Sequence, residues 1–156
     1  MEASEEQGLG RSRGGFTSKI MLTAADEDTA IALDVVPGQA HDAPQLEAIL
    51  DQTKARVPDM KEVVGDKGFD GEPQRRACTD RGATRVIPHK SNSKRPGRLN
   101  KKAYRERNKI ERLFGKLKEF RRVATRYEKM KQTYLGMIHL ALVFIRLKRL
   151  VIVNRA

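Results

Sequence analysis

The fold class that the sequence predicts is an α/β layer, in which an antiparallel hairpin precedes strands joined by helical crossovers. Three observations predict it. Two β-patterned runs, "FTSKIMLTA" and "TAIALDVV", flank the acidic stretch "ADED" and read as a hairpin with an acidic turn. Two brief apolar runs, in "KEVVGDKGFDG" and "ATRVIP", then alternate with helix-patterned segments. The chain of 156 residues is long enough to bury one continuous core without disulfides or a structural metal.

Residues 1–15, ending in "GRSRGG", are polar and glycine-rich and read as a flexible N-terminal segment, with the domain itself over 16–153. In the second strand Ile31, Leu33 and Val35 are expected on one face and Asp34 on the other, because side chains alternate along a strand. Pro37-Gly38 ends that strand. In "HDAPQLEAILDQ" Asp42 is the expected N-cap, Pro44 suits the first turn, and Leu46, Ile49 and Leu50 form a helical apolar stripe. "KEVV" reads as a short strand stopping at Gly65-Asp66-Lys67-Gly68, after which Asp70 is expected to cap a helix that Gly82 ends. "ATRVIP" is a strand closed by Pro88, and "HKSNSKRPGRLNKK" is a basic loop without periodicity. From Lys101 one helix is expected to about Arg122, its stripe made by Ile110, Leu113, Phe114 and Leu117; a last helix covers about Lys131 to Val153.

Charge narrows the partners. Up to Asp80 there are 9 basic and 16 acidic residues, and from Arg81 onward 23 basic against 4 acidic, within a formal net charge of +12. The second half is therefore a polyanion binder by composition, and its attraction to nucleic acid should fall steeply with salt. The longest apolar run, Tyr134 to Ile145, has twelve residues against the roughly 20 needed to span a bilayer, so no membrane role is read. The acidic start "MEASEEQGLG" carries no secretory pattern. The single cysteine, Cys78, fits a reducing cytoplasm and reads as a helix-packing residue. His41 and His89 read as loop residues near solvent or phosphate, and His139 as a core histidine; their spacing makes no zinc site. With no tryptophan and 5% aromatics, a base-stacking single-strand binder is disfavoured.

The stretch Lys101 to Arg122 holds ten basic residues and three glutamates, and one of these, Glu111, sits in the middle of the cationic surface. A carboxylate there repels phosphate unless a cation lies between. Phosphodiester chemistry supplies such a cation: two Mg²⁺ ions activate the nucleophile, stabilise the leaving oxygen and neutralise charge, held by a few carboxylates, water and substrate phosphate. Asp66 is the second candidate, at the C-terminal end of a strand, the edge where α/β sheets bind ligands. Each carboxylate also has an ordinary reading. Asp66 can be a turn residue bonded to its own backbone, and Glu111 can pair with Arg107 one helical turn away.

Tyr104-x2-Arg107-x3-Glu111-x6-Lys118 resembles the signature around the catalytic glutamate of bacterial insertion-sequence transposases of the DDE type. "GRSRGGFTSKI", "ALDVVPGQAHDAPQ", "VVGDKGFD" and "RNKIERLFGKLKEFRRVATRYEK" are similar to successive blocks of the insertion-sequence family 5 group, from about Gly10 to about Leu150. The resemblance implies a ribonuclease-H-like mixed sheet flanked by helices, with Asp66 and Glu111 as metal ligands for Mg²⁺ or Mn²⁺. It also implies Mg-dependent strand cleavage and transfer on double-stranded transposon ends and target, by a cytoplasmic, nucleoid-associated protein working as a homo-oligomer on DNA.

By charge, Arg107 and Lys118 are assigned to phosphate and Tyr104 to packing or positioning. Arg112, Lys94, Arg95, Arg121 and Arg122 are further DNA-binding candidates. The family's first aspartate, on a strand upstream of "GRSRGG", has no counterpart here: Asp26 and Asp28 fall in the hairpin tip and Asp34 mid-strand. The expectation is thus a C-terminal portion lacking its first strand and inactive or nearly so alone, either a truncated open reading frame or the second part of a frameshifted product that an upstream-frame polypeptide completes. The alternatives are a non-catalytic basic DNA-binding remnant and a basic RNA-binding accessory protein.

Overall fold

The computed structural model describes residues 7–12, 15–93 and 97–153. They form a mixed α/β protein of two compact units, Met1–Ala40 with Lys109–Ala156, and His41–Asn108.

In the first unit, strand β1 (Gly10–Ser12) pairs with β2 (Gly15–Asp26), which pairs in turn with β3 (Thr29–Pro37), all antiparallel. Gly10–Ser12 falls within the segment read as flexible and nonetheless forms this short edge strand. The register matches Leu22 with Leu33 and Thr23 with Ala32, then slips so that Ala24 meets Ala30, leaving Ile31 as an additional residue on β3. That bulge corrects the expected face. Leu33 and Val35 turn to the core as alternation requires, but across the bulge Ala30 takes the place expected of Ile31.

Three helices cover this sheet: α4 (Arg107–Lys118), which enters from the second unit, α5 (Arg121–Thr125) and α6 (Lys131–Val153). Leu22, Val35, Leu113, Leu117, Val123, Tyr134, Ile138, Ala141 and Ile145 make the core, with Ile110, Phe114 and Phe120 packed against it. The buried Tyr134 hydroxyl donates to the Val123 carbonyl at 2.8 Å, and burial pushes its pKa up. Arg126 has the left-handed φ of 51°, a conformation that costs a non-glycine residue about 1–3 kcal/mol. It caps α5 there, with its guanidinium 4.9 Å from the Tyr134 ring centroid and donating to the Gly8 carbonyl.

In the second unit, α1 (Asp42–Arg56) buries Leu46, Ile49, Leu50 and Thr53. His41, not Asp42, takes the cap position, so the carboxylate lies in the first turn, where the helix dipole favours it. Strand β4 (Glu62–Val64) runs parallel to β5 (Thr84–Val86), with α2 (Glu72–Asp80) as the crossover. Gly82, at φ +74°, ends α2 as expected, with its N–H donating to Thr79 and that of Ala83 to Cys78. Cys78 is fully buried and burial raises its thiol pKa, which fits a packing role. A short helix, α3 (Lys101–Tyr104), follows the basic loop.

Two further expectations are corrected. The single mixed sheet is replaced, among the described residues, by separate antiparallel and parallel sheets, because no strand bonds to both an antiparallel and a parallel neighbour. The long helix from Lys101 breaks into α3, α4 and α5. At both breaks tight i to i−3 bonds replace the helical pattern, from Glu106 to Ala103 and from Phe120 to Leu117. The second break turns the chain so that Phe120 and Val123 join the core. Among the described residues no helix is long and apolar enough to cross a membrane.

Candidate functional site

Asp66 follows β4 and caps a single 3-10 turn, Lys67–Phe69. Its Oδ1 accepts the Gly68 N–H at 2.7 Å, which is the turn-aspartate geometry, and the residue is exposed. One accepted bond uses only part of a carboxylate's capacity of about four lone-pair sites. The side chain is thus both fixed in its turn and presented to solvent at the C-terminal end of a parallel strand.

Asp70 holds that turn in place. It was expected to cap α2, but Gly71 occupies the cap position and the Asp70 carboxylate is taken elsewhere. Arg75 donates to Asp70 through Nε at 2.7 Å and again through Nη2, and the Lys90 N–H donates to the other carboxylate oxygen. Arg75 Nη2 also reaches the Ile87 carbonyl and lies 3.3 Å from His89 Nδ1. Burial pushes the Asp70 pKa up, but the Lys90 N–H, Arg75 and His89 outweigh it, leaving the group below its ordinary value. This cluster ties the loop after β5 to the Asp66 turn, and the sequence reading missed it. The only available signal was an aspartate five residues before an arginine on an amphipathic helix. His89 is correspondingly a cluster member and not a plain solvent or phosphate residue.

Glu111 is exposed on α4, on a helix face with Arg107, Phe114 and Lys118. Tyr104 is not on that helix. It ends α3 across the turn at Arg105-Glu106, and its ring centroid lies 5.7 Å from the Arg107 guanidinium, a cation–π contact. Lys118 and Arg121 are exposed. Arg122 is exposed as well, and its guanidinium meets the buried Glu128 carboxylate at 2.7 Å. Lys94 and Arg95 lie outside the described residues.

Arg112 donates to Glu27 at 2.8 Å, and Lys116 bonds Asp28 and the Glu27 carbonyl, so the acidic hairpin tip clamps α4. The Arg112 bond, and then Lys116, hold Glu27 below its ordinary pKa. At the same tip Arg149 bridges Asp26 and Asp28, while Asp34 pairs with Lys131 at 2.8 Å. His139, expected in the core, is exposed on α6, with Nδ1 3.0 Å from the Leu135 carbonyl.

The donor chemistry of Asp66 and Glu111, exposed carboxylate oxygen, is what a hard divalent cation takes. The number of donors falls short: among the described residues no three His, Cys, Asp or Glu side chains gather into a group that could hold a metal.

Comparison with known proteins adds to this geometry. The sequence matches the family model described as "Transposase DDE domain" over residues 3–145. Over 135 residues, 85% of this chain and 100% of the other, it is 31% identical to a Brucella ovis protein described as "Putative transposase for insertion sequence element IS6501". No solved structure matches the chain.

Proposed function

Because the chain belongs to the transposase DDE domain family, we propose that it works on double-stranded DNA as part of an insertion-sequence transposase, with Asp66 and Glu111 as two of the acidic ligands. The observation that carries the reading is the family match over residues 3–145, which takes in both carboxylates. Within the family the Tyr104, Arg107, Glu111 and Lys118 spacing places our reading in the insertion-sequence family 5 group. A parallel β4–α2–β5 crossover and an antiparallel hairpin are both elements that a ribonuclease-H-like layer contains, and on that ground we keep the reading for the fold.

Mg²⁺, with Mn²⁺ as substitute, would supply Lewis-acid activation and charge neutralisation when bound. The chain's own residues do the rest. Arg107, Lys118 and Arg121 attract phosphate, and Asp70 with Arg75 keeps the Asp66 turn from shifting. We assign the third ligand to an upstream-frame polypeptide and take a homo-oligomer on DNA in the bacterial nucleoid as the working form.

The 23 basic residues from Arg81 onward favour a second reading, a basic DNA-binding protein without cleavage activity. One assay separates the two. Duplexes carrying the element's ends are incubated with the chain, with and without the upstream polypeptide, in Mg²⁺ or Mn²⁺, and both nicking and binding are measured. Nicking that Asp66→Ala and Glu111→Ala abolish without weakening binding supports the transposase reading. Variants that nick like the parent overturn the ligand assignment, and binding with no nicking under any condition leaves the second reading standing.

A further inference from the structure

Helix α6 carries two apolar faces, and among the described residues only one of them is packed. Tyr134, Ile138, Ala141 and Ile145 point into the core. Leu140, Val143, Phe144, Leu147, Leu150 and Val151 form a second stripe, between 46% and 57% exposed. At 3.6 residues per turn the centres of the two stripes lie about 145° apart around the helix, so the same packing cannot bury both. The second stripe follows the 3-4 spacing of a coiled-coil seam over two heptads: Leu140, Val143, Leu147 and Leu150 take the a and d positions, with Phe144 and Val151 beside them.

The exposed part of these six side chains amounts to roughly 600 Å², at the top of the range a soluble monomer leaves uncovered. Two copies meeting on this stripe would bury roughly 1,200 Å², where stable specific interfaces begin. A heptad seam is complementary to itself, as a two-fold contact requires. Three cations lie in this half of the helix, and Lys148 projects about 95° around the axis from the centre of the stripe. Of the other two, Arg149 is held by Asp26 and Asp28 at 3.3 and 3.0 Å, and Arg146 donates to the Thr29 hydroxyl at 3.0 Å, so these two are drawn back onto their own hairpin.

We propose that the outer stripe of α6 is a homodimer interface whose occupant is the α6 of a second copy, with Phe144 and Leu147 at its centre. The proposal rests on the geometry of this helix and not on the metal reading of Asp66 and Glu111. It names the surface through which copies associate in the absence of DNA. Each molecule then presents its Glu111 helix once per dimer, giving two equivalent cationic faces.

Sedimentation equilibrium of the full chain, in salt high enough to suppress electrostatic association, tests it. A mass twice the 17.6 kDa of the monomer is expected. Leu147→Glu and Phe144→Glu should each weaken dimerisation about 30-fold or more, as central contacts do. Tyr127→Glu, at an exposed residue outside the stripe, should leave the mass unchanged. The substituted positions are half exposed, and an unchanged circular-dichroism melt of the dissociated variants shows that they still fold. In a second measurement Leu147→Cys should form an intermolecular disulfide under mild oxidation, since the native Cys78 is buried. A monomeric parent at all concentrations, a dimer that survives both glutamates, or binding of the stripe to anionic vesicles with no dimer in solution overturns the proposal.

Discussion

Removing the Asp70 carboxylate should destabilise the second unit and loosen the turn that presents Asp66. The side chains of Asp70 and Arg75 are 7% and 10% exposed, so Asp70→Ala strands a buried guanidinium whose remaining acceptor contacts are the Ile87 carbonyl and, in one tautomer, His89. Breaking such a pair from one side costs about 3–5 kcal/mol. The lower end applies here because solvent reaches part of the cluster. A loss of about 3 kcal/mol corresponds to a melting temperature lowered by roughly 6–12 °C when the 156-residue chain unfolds as one. Urea titration at neutral pH measures the loss, and hydrogen exchange at the Lys90 amide, which loses its acceptor, locates it. Asp70→Ala combined with Arg75→Met removes both charges and keeps most of the volume, so it should recover at least half of the loss. A single variant within 1 kcal/mol of the parent, or a double variant no better than the single, refutes the reasoning.

The same pair sets a pH dependence. The folded pKa of Asp70 lies below the ordinary 3.8, so its stabilisation is complete above that value and is lost as pH falls below it; the difference between parent and Asp70→Ala should shrink in acid urea titrations. Glu27→Gln frees Arg112 while Lys116 keeps Asp28. Its affinity for duplex DNA should rise about two- to tenfold at low salt, and the logarithmic salt slope should steepen by about 0.9, read by fluorescence anisotropy. Ile138→Ala, at a fully buried core position, should cost about 2–5 kcal/mol in the same denaturation assay.

How far the sequence discloses the fold depends on how far each feature extends along the chain. Helix α6 was expected at Lys131 to Val153 and occupies those residues, because 23 residues average out any local exception. The Leu46, Ile49 and Leu50 stripe of α1 and the glycine stop at Gly82 were legible for the same reason: period and punctuation agree. The bulge at Ile31 was not, since one additional residue is decided by cross-strand pairing and leaves no mark on the periodicity. His139 was misplaced because α6 is apolar on two sides, so a neighbourhood of hydrophobic residues did not imply burial. For the candidate site, the positions of Asp66 at a strand end and Glu111 on a cationic helix were readable. The partners of Asp70 were not, because Arg75, His89 and Lys90 are brought to it only by the β4–α2–β5 crossover.

Charge counted along the sequence overstates what DNA would meet. Among the described residues, the acids of the first half are not a separate negative surface in the first unit. Asp26, Glu27, Asp28 and Asp34 are counter-ions to Arg149, Arg112, Lys116 and Lys131, all from the basic half. Folding thus sets the two halves of the charge pattern against each other and withdraws four cations from the pool. Lys118 and Arg121 stay exposed, together with Lys101 and Lys102 on α3. If about four of the cations left outside these pairs meet phosphate, the salt slope for duplex binding should be near −4, about −0.9 per contact, well short of what 23 basic residues would give. A measured slope beyond about −8 that Glu27→Gln does not steepen further would mean that the hairpin acids already release their arginines and lysines on DNA, and that the clamp on α4 opens as part of binding.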